Sequence, residues 1–179
     1  MKSVMTNRFS QVPKAQIPRS TFDRSHGHKT TFDASYLVPI LTDEALPGDT
    51  INCNMTGFAR LATPIYPLMD NMHMETFFFA VPMRLVWDNW TKFCGEQVDP
   101  GDTNDYTIPT MPSTVTTGYQ EQSLHDYLGI PTEVAVSFNH SSLFHRAYNL
   151  IWNEWFRDQN LQNSVTVDTD NGPDAPRGS

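Results

Sequence analysis

At 179 residues, with 39% hydrophobic and 12% aromatic side chains, the chain is long enough for a domain with a core and too apolar for intrinsic disorder. A formal charge of −8 excludes a general nucleic-acid binder on bulk charge alone. No apolar run reaches the ~18 residues that mark a spanning helix, so no membrane insertion is expected.

The charge is unevenly placed. Residues 1–30 carry Lys2, Arg8, Lys14, Arg19, Arg24 and Lys29 against one acid, Asp23, a balance of +5. The other 149 residues hold six bases and nineteen acids, a balance of −13. A basic arm over 1–30 therefore precedes an acidic body over 31–179. The arm has neither helical nor strand periodicity, and Pro13 and Pro18 interrupt any helix. Its first residues contain no continuous apolar stretch of the kind a secretory signal needs.

From Thr31 the pattern changes. Phe32, Tyr36, Val38 and Ile40 share one parity, as a half-buried strand requires, with Pro39 marking an edge or bulge. Pro47-Gly48 predicts a turn, since it supplies a fixed φ followed by a permitted positive one. A second strand is expected over 50–61, with a bulge at Gly57. A third over 72–82 runs into Phe77, Phe78 and Phe79, adjacent rings that point to both faces and so need cover on both.

A helix is expected over about 84–94, from Val86, Trp90, Phe93 and Cys94, with Gly95 just past its end. Residues 96–122 read as a long loop. Ser123 is placed to cap one short helical turn closed by Gly129 and Pro131. The strongest helix is 142–158, where Phe144, Ala147, Tyr148, Ile151, Trp152, Trp155 and Phe156 form an apolar stripe and Ser141 or Ser142 is the N-cap. A short strand follows at 164–168. The last residues, TDNGPDAPRGS, are turn-rich with nothing that closes a fold, as in a chain cut within a loop.

Four long strings carry a resemblance: FDRSHGHKTTFDASYLVPILTDEALPGDT, TPIYPLMDNMHMETFFFAVPMRLVWDNWTKFCGE, DYLGIP and RAYNLIWNEWFRDQNL. Together they resemble the major capsid protein of gokushovirus-type microviruses, small icosahedral bacteriophages with single-stranded circular DNA. The resemblance covers residues 20 to 175. It implies a mainly β fold, a viral jelly-roll β-sandwich with helical and loop insertions, assembled as a T=1 shell. Family members are longer, with further capsid sequence after NGPD. The chain is therefore expected to be the N-terminal portion of such a protein, with an incomplete jelly roll.

The implied function is a structural subunit of the virion, assembled in the host bacterial cytoplasm. Its partners would be copies of itself, packaged single-stranded DNA, other virion proteins and a bacterial host receptor. The alternative from another class is a β-sandwich binding module, such as a lectin-like receptor binder.

The candidate site residues fall into two groups. Lys2, Arg8, Lys14, Arg19, Arg24 and Lys29 would neutralise phosphates without reading sequence, or the arm would clasp a neighbouring subunit; both readings stay open. Phe77, Phe78, Phe79, Trp87, Trp90, Trp152, Trp155 and Phe156 are expected in the core or in assembly contacts, because they lie on patterned segments of an acidic body and aromatics are enriched at interfaces. Base stacking is the competing use of the tryptophans.

No catalytic site, metal site or cofactor is expected. HExxH, GxSxG and Walker-type loops are missing from the sequence, and Ser123, His125 and Asp126 are crowded into one turn, unsuited to a relay. His26 and His28 have no further ligand at metal-binding spacing. The repeated TFD at 21–23 and 31–33 is too short for a structural repeat and marks the junction of arm and body. Cys53 and Cys94 are expected to be reduced thiols, with at least one packed in the interior.

Overall fold

The elements that form are those whose local signals agree with a tertiary partner. The computed structural model describes residues 16–113 and 118–175. Its helices are α1 (Trp90–Phe93), α2 (Leu124–Tyr127) and α3 (Leu143–Ile151). A 3-10 turn at Met83–Leu85 precedes α1, and a π-helical turn at Trp152–Phe156 continues α3. Strands β1 (Thr110–Pro112) and β2 (Asn139–Ser141) pair antiparallel, with Met111 opposite His140. They are the one sheet among the described residues.

The pairing of β1 with β2 extends through Ser113 N–H donating to the Phe138 carbonyl at 2.8 Å and Ser142 N–H donating to the Pro109 carbonyl at 3.1 Å. Between the strands the chain makes an excursion that crosses itself where Glu133 N–H donates to the Tyr119 carbonyl at 2.9 Å. Gly118 is required at that crossing. Its φ is +68°, and a Cβ there would lie 2.6 Å from the Val134 backbone nitrogen, a collision no rotamer relieves.

Short-range signals hold well. The Pro47-Gly48 turn forms, with Gly48 at φ +89° and Asp49 N–H donating to the Leu46 carbonyl at 3.0 Å. Ser123 caps α2, its hydroxyl oxygen accepting from Asp126 N–H, and Gly129 follows at φ +80°. Gly95 closes α1 at φ +98°. The loop expected over 96–122 contains β1, whose partner lies 29 residues on and leaves no local signal.

The expected strands over 31–40, 50–61 and 72–82 are corrected. Those residues carry no strand assignment and are mostly exposed. Alternation reports only an extended backbone, whereas a strand also needs a neighbour to bond to. Within 31–40 the chain also turns at Ala34-Ser35, with Ser35 at φ +71°. The strand expected at 164–168 is replaced by a side chain that imitates one. The buried Asn153 amide donates to the Val165 carbonyl at 2.7 Å and accepts from Val165 N–H at 2.9 Å.

Both long helices are shortened for tertiary reasons. The segment 84–94 breaks at Trp87-Asp88, where Asp88 N–H donates to the Thr169 carbonyl at 2.9 Å and its carboxylate accepts from the Thr169 hydroxyl. The segment 142–158 leaves α geometry at Trp152 and ends where Arg157 N–H donates five residues back to the Trp152 carbonyl at 2.9 Å, a π-type closure. Ser142 is its N-cap position but makes no capping bond. Its hydroxyl donates instead to the Pro109 carbonyl, and the Ser141 oxygen accepts from Leu143 N–H at 3.4 Å.

The core is Val86, Trp87 and Leu143, with Val81, Met83, Trp90, Tyr106, Ala147 and Leu150 packed against it. The buried residues of α3 are Leu143, His145 and Arg146, so the face that sinks deepest is not the expected Phe144–Phe156 stripe. The closing segment is a second correction. Far from closing nothing, residues 169–174 strap the core. Asn171 Oδ1 accepts from Trp87 Nε1 at 2.9 Å, and Asp174 N–H donates to the Thr110 carbonyl at 2.9 Å.

Candidate assembly surface

Residues 77 and 79 of an extended segment point the same way, because side chains alternate with period two. Phe77 and Phe79 use that shared side to meet the end of α3. Phe77 lies edge-on to Phe156 with centroids 5.6 Å apart, and Phe79 does the same at 5.9 Å. Phe79 also sits 5.8 Å from Trp155. Edge-to-face contacts of this kind contribute about 0.5–1.5 kcal/mol beyond area burial.

The cluster is nevertheless open. Trp155 is 73% exposed, Phe77 56% and Phe78, on the other side of the segment, 61%. Contiguous exposed rings mark interaction surfaces in soluble proteins. The full cover expected for Phe77, Phe78 and Phe79 is therefore not supplied by the described residues, since nothing lies on their outer side. Trp152 and Phe156 are half-buried.

Trp87 and Trp90 behave differently. Trp87 is fully buried and packs against Trp90 at 6.2 Å and Phe93 at 5.3 Å. Its only polar atom is satisfied by Asn171, so it serves the core.

Lys2, Arg8 and Lys14 lie outside the described residues. Arg19, Arg24 and Lys29 are exposed on extended backbone. Arg24 contacts both carboxylate oxygens of Asp43 through Nη1, at 2.6 and 2.8 Å. The Asp43 carboxyl is held below its usual range first by Glu44 N–H, which outweighs the opposing effect of desolvation, and then by Arg24. The Tyr127 hydroxyl donates to the Thr31 carbonyl at 3.0 Å and the Tyr148 hydroxyl to the Leu37 carbonyl at 2.8 Å. Chain entering the body is thus pinned to α2 and α3.

The residues with catalytic overtones are occupied structurally. The Ser123 hydroxyl donates to the Gln120 carbonyl, Asp126 accepts from Gln122 N–H, and His125 stacks on Tyr119 at 3.7 Å. Asp102 accepts from Val98 and Asp99 N–H to close its loop. Among the described residues, no group of three or more His, Cys, Asp or Glu is arranged to hold a metal ion, and no helix is long and apolar enough to cross a membrane. Both cysteines are free and exposed, which corrects the expected interior thiol.

Sequence reasoning missed one group outright. Arg146 is only 2% exposed, and its guanidinium grips Asp174 with Nε at 2.8 Å and Nη2 at 2.6 Å. Nη1 donates to the Val86 and Asp170 carbonyls, each at 2.9 Å. A planar fork with five donors suits this four-way clip. The available signal was an arginine inside an apolar helix, which is buried only when paired.

The described residues combine a small core, a strap that locks it and a set of exposed aromatic rings. The chain belongs to the phage capsid protein (F protein) family, which it matches over residues 10–178. It is 51% identical over 173 residues to capsid protein VP1 of Chlamydia phage 1, covering 93% of this chain and 29% of that protein. Capsid protein VP1 of Bdellovibrio phage phiMH2K is also 51% identical, over 166 residues, with 93% and 31% covered. Capsid protein VP1 of Spiroplasma virus 4 is 36% identical over 167 residues, with 91% and 30% covered. These matches bear out the gokushovirus-type likeness read from the four strings. The chain spans about 30% of the length of the curated relatives it matches.

Proposed function

We propose that the chain is part of the shell subunit of a small icosahedral single-stranded DNA phage, with an assembling rather than a catalytic role. The observation that carries this reading is the open ring cluster of Phe77, Phe79, Trp155 and Phe156 in a member of a capsid family. A mostly non-helical chain with a small antiparallel sheet is compatible with a jelly roll completed by the rest of the polypeptide. On this reading the strand-free segments 50–61 and 72–82 gain strand partners there, and copies tile into a T=1 shell in the host cytoplasm.

The test is particle formation by the complete polypeptide, followed by electron microscopy. Uniform icosahedral particles are expected, and a persistently monomeric species would overturn the reading. Replacing Trp155 by Ser removes an interface aromatic, a loss of ≥ ~2 kcal/mol at a hot spot. It is expected to abolish particles while lowering subunit stability by no more than about 1.5 kcal/mol, the upper value of its ring contact with Phe79. A normal particle yield would remove Trp155 from the assembly contacts.

The arm over 1–30 and the body over 31–179 divide the work on this reading. The acidic body repels DNA, and Lys2, Arg8, Lys14, Arg19, Arg24 and Lys29 supply attraction to packaged phosphates or a clasp on a neighbour. The exposure of Arg19 and Lys29 supports access to either partner. Changing both to Glu is expected to leave empty shells intact but lower their DNA content and weaken the salt dependence of binding, since each lost phosphate contact removes about 0.7 from the single-strand log–log salt slope. Shells that fail to form at all would favour the clasp.

A further inference from the structure

Three histidines far apart in character in the sequence meet at one seam. His125 comes from α2, His140 from β2 and His145 from α3. Ring centroids lie 4.6 Å apart for His125 and His145, 5.4 Å for His140 and His145, and 6.2 Å for His125 and His140. Tyr119 stacks on His125 from the far side. His125 and His145 are each 5% exposed, and both line a cleft of about 230 Å³ with Met111, Asn149 and Asp168.

Only His140 has partners for both ring nitrogens. His140 Nδ1 lies 3.1 Å from the Ser141 carbonyl and Nε2 lies 2.8 Å from the Tyr119 hydroxyl. A carbonyl only accepts, so Nδ1 carries the hydrogen and Nε2 accepts from Tyr119. By contrast, His125 Nε2 and both ring nitrogens of His145 are buried with no hydrogen-bond partner. A protonated imidazole there would hold an N–H donor and a charge away from water and acceptor, a costly state.

We propose that His125 and His145, packed against His140, form a proton-operated latch: neutral, they let α2 and β2 close on α3, and protonation opens that seam and releases residues 118–141. Of the charged groups around the seam, Asp174 favours a proton on His145 but is outweighed by burial and the neighbouring histidines. Asp174 faces His145 but is gripped by Arg146, whose own positive charge sits one residue along α3. Asp126 accepts from Gln122 N–H at the start of α2. Asp168 lines the cleft just before the strap, and burial raises the Tyr119 phenol, keeping it neutral.

Titration agrees in direction. Burial, with His140 nearby, pushes His125 down to about 4. Burial, then His125 and His140, pushes His145 down to about 3, with Asp174 pulling the other way. Both values lie below the 6.5 of a free imidazole. The opened chain therefore binds more protons than the closed one below that pH. Closure is full above about 6.5, weakens as the pH falls, and stops weakening below the closed-state values. At about pH 5 each of the two histidines shifts the equilibrium toward the open form by about 30-fold.

This latch belongs to the chain's own packing and does not depend on the shell reading. Its test uses the complete polypeptide, with deuterium exchange at imidazole C2 read by mass spectrometry across pH. Midpoints for His125 and His145 well below 6.5 are expected, and midpoints near 6.5 would overturn the latch. Amide exchange, corrected for intrinsic rate, should show protection in α2 and β2 falling by at least about 30-fold between about pH 7.5 and about pH 5. The double variant H125Q/H145Q should lose that pH dependence, and its retention would assign it elsewhere. Adding a chelator should change nothing, and a chelator-driven opening would replace the proton by a metal ion.

Discussion

Arg146→Met is expected to lower the stability of the fold by about 3–5 kcal/mol, because the buried Asp174 carboxylate would lose the guanidinium that grips both its oxygens. The Val86 and Asp170 carbonyls would lose the same donor at once, each an unmade bond of about 1–3 kcal/mol where burial is complete. The double variant Arg146→Met with Asp174→Leu should recover part of the loss, since it also removes the carboxylate that lost its guanidinium. It should not recover all of it, as the two carbonyls stay without a donor. Denaturant unfolding of wild type, both singles and the double closes the cycle. A loss below about 1 kcal/mol in the Met single would mean that the clip holds nothing.

Trp87→Ala carries the second large effect, about 3–5 kcal/mol for emptying a fully occupied aromatic site. Trp87 is the single tryptophan with no exposure, and it joins Val86 and Leu143 in the core. Trp87→Phe refills most of the space but has no donor for Asn171, so a smaller loss of about 1–3 kcal/mol is expected. Because Asn171 Oδ1 also accepts from Asn89 Nδ2 at 3.0 Å, the phenylalanine variant keeps one of its two bonds. Thermal unfolding should rank the alanine variant below the phenylalanine one, and tryptophan fluorescence should lose its most blue-shifted component in both. Equal losses would show that the indole nitrogen, rather than ring volume, is what the site needs.

The two substitutions test one design from opposite ends. Strap residues 169–174 reach Trp87 and Asp88 through Asn171 and Thr169, and reach α3 through Asp174 and Arg146. Cutting either attachment should loosen the other, so their combined effect should fall short of the sum of the two losses, as expected for sites that share a partner.

Much of this protein was legible before any coordinate. Turns and caps at Pro47-Gly48, Ser123, Gly95 and Gly129 depend on the φ a residue allows and the bond its own side chain reaches, and all four stand. Family membership was legible for a different reason, because long ordered strings persist where a shared architecture needs them. The charge split between arm and body is arithmetic on the chain.

What only the tertiary structure decided are the choices that couple residues far apart. Which face of α3 sinks deepest was settled by Arg146 finding Asp174 and by His145 finding His125 and His140, against the Phe144–Phe156 stripe that periodicity favoured. Asn153 taking the place of a strand neighbour for Val165, and Thr169 drawing Asp88 out of a helix, leave no mark in local pattern. Alternation along 31–40, 50–61 and 72–82 likewise describes one chain's side chains, while a ladder needs the backbone of another. Periodicity senses the preference of each residue for water; the pairing of distant polar groups, which fixes where the chain turns inward, has no period to sense.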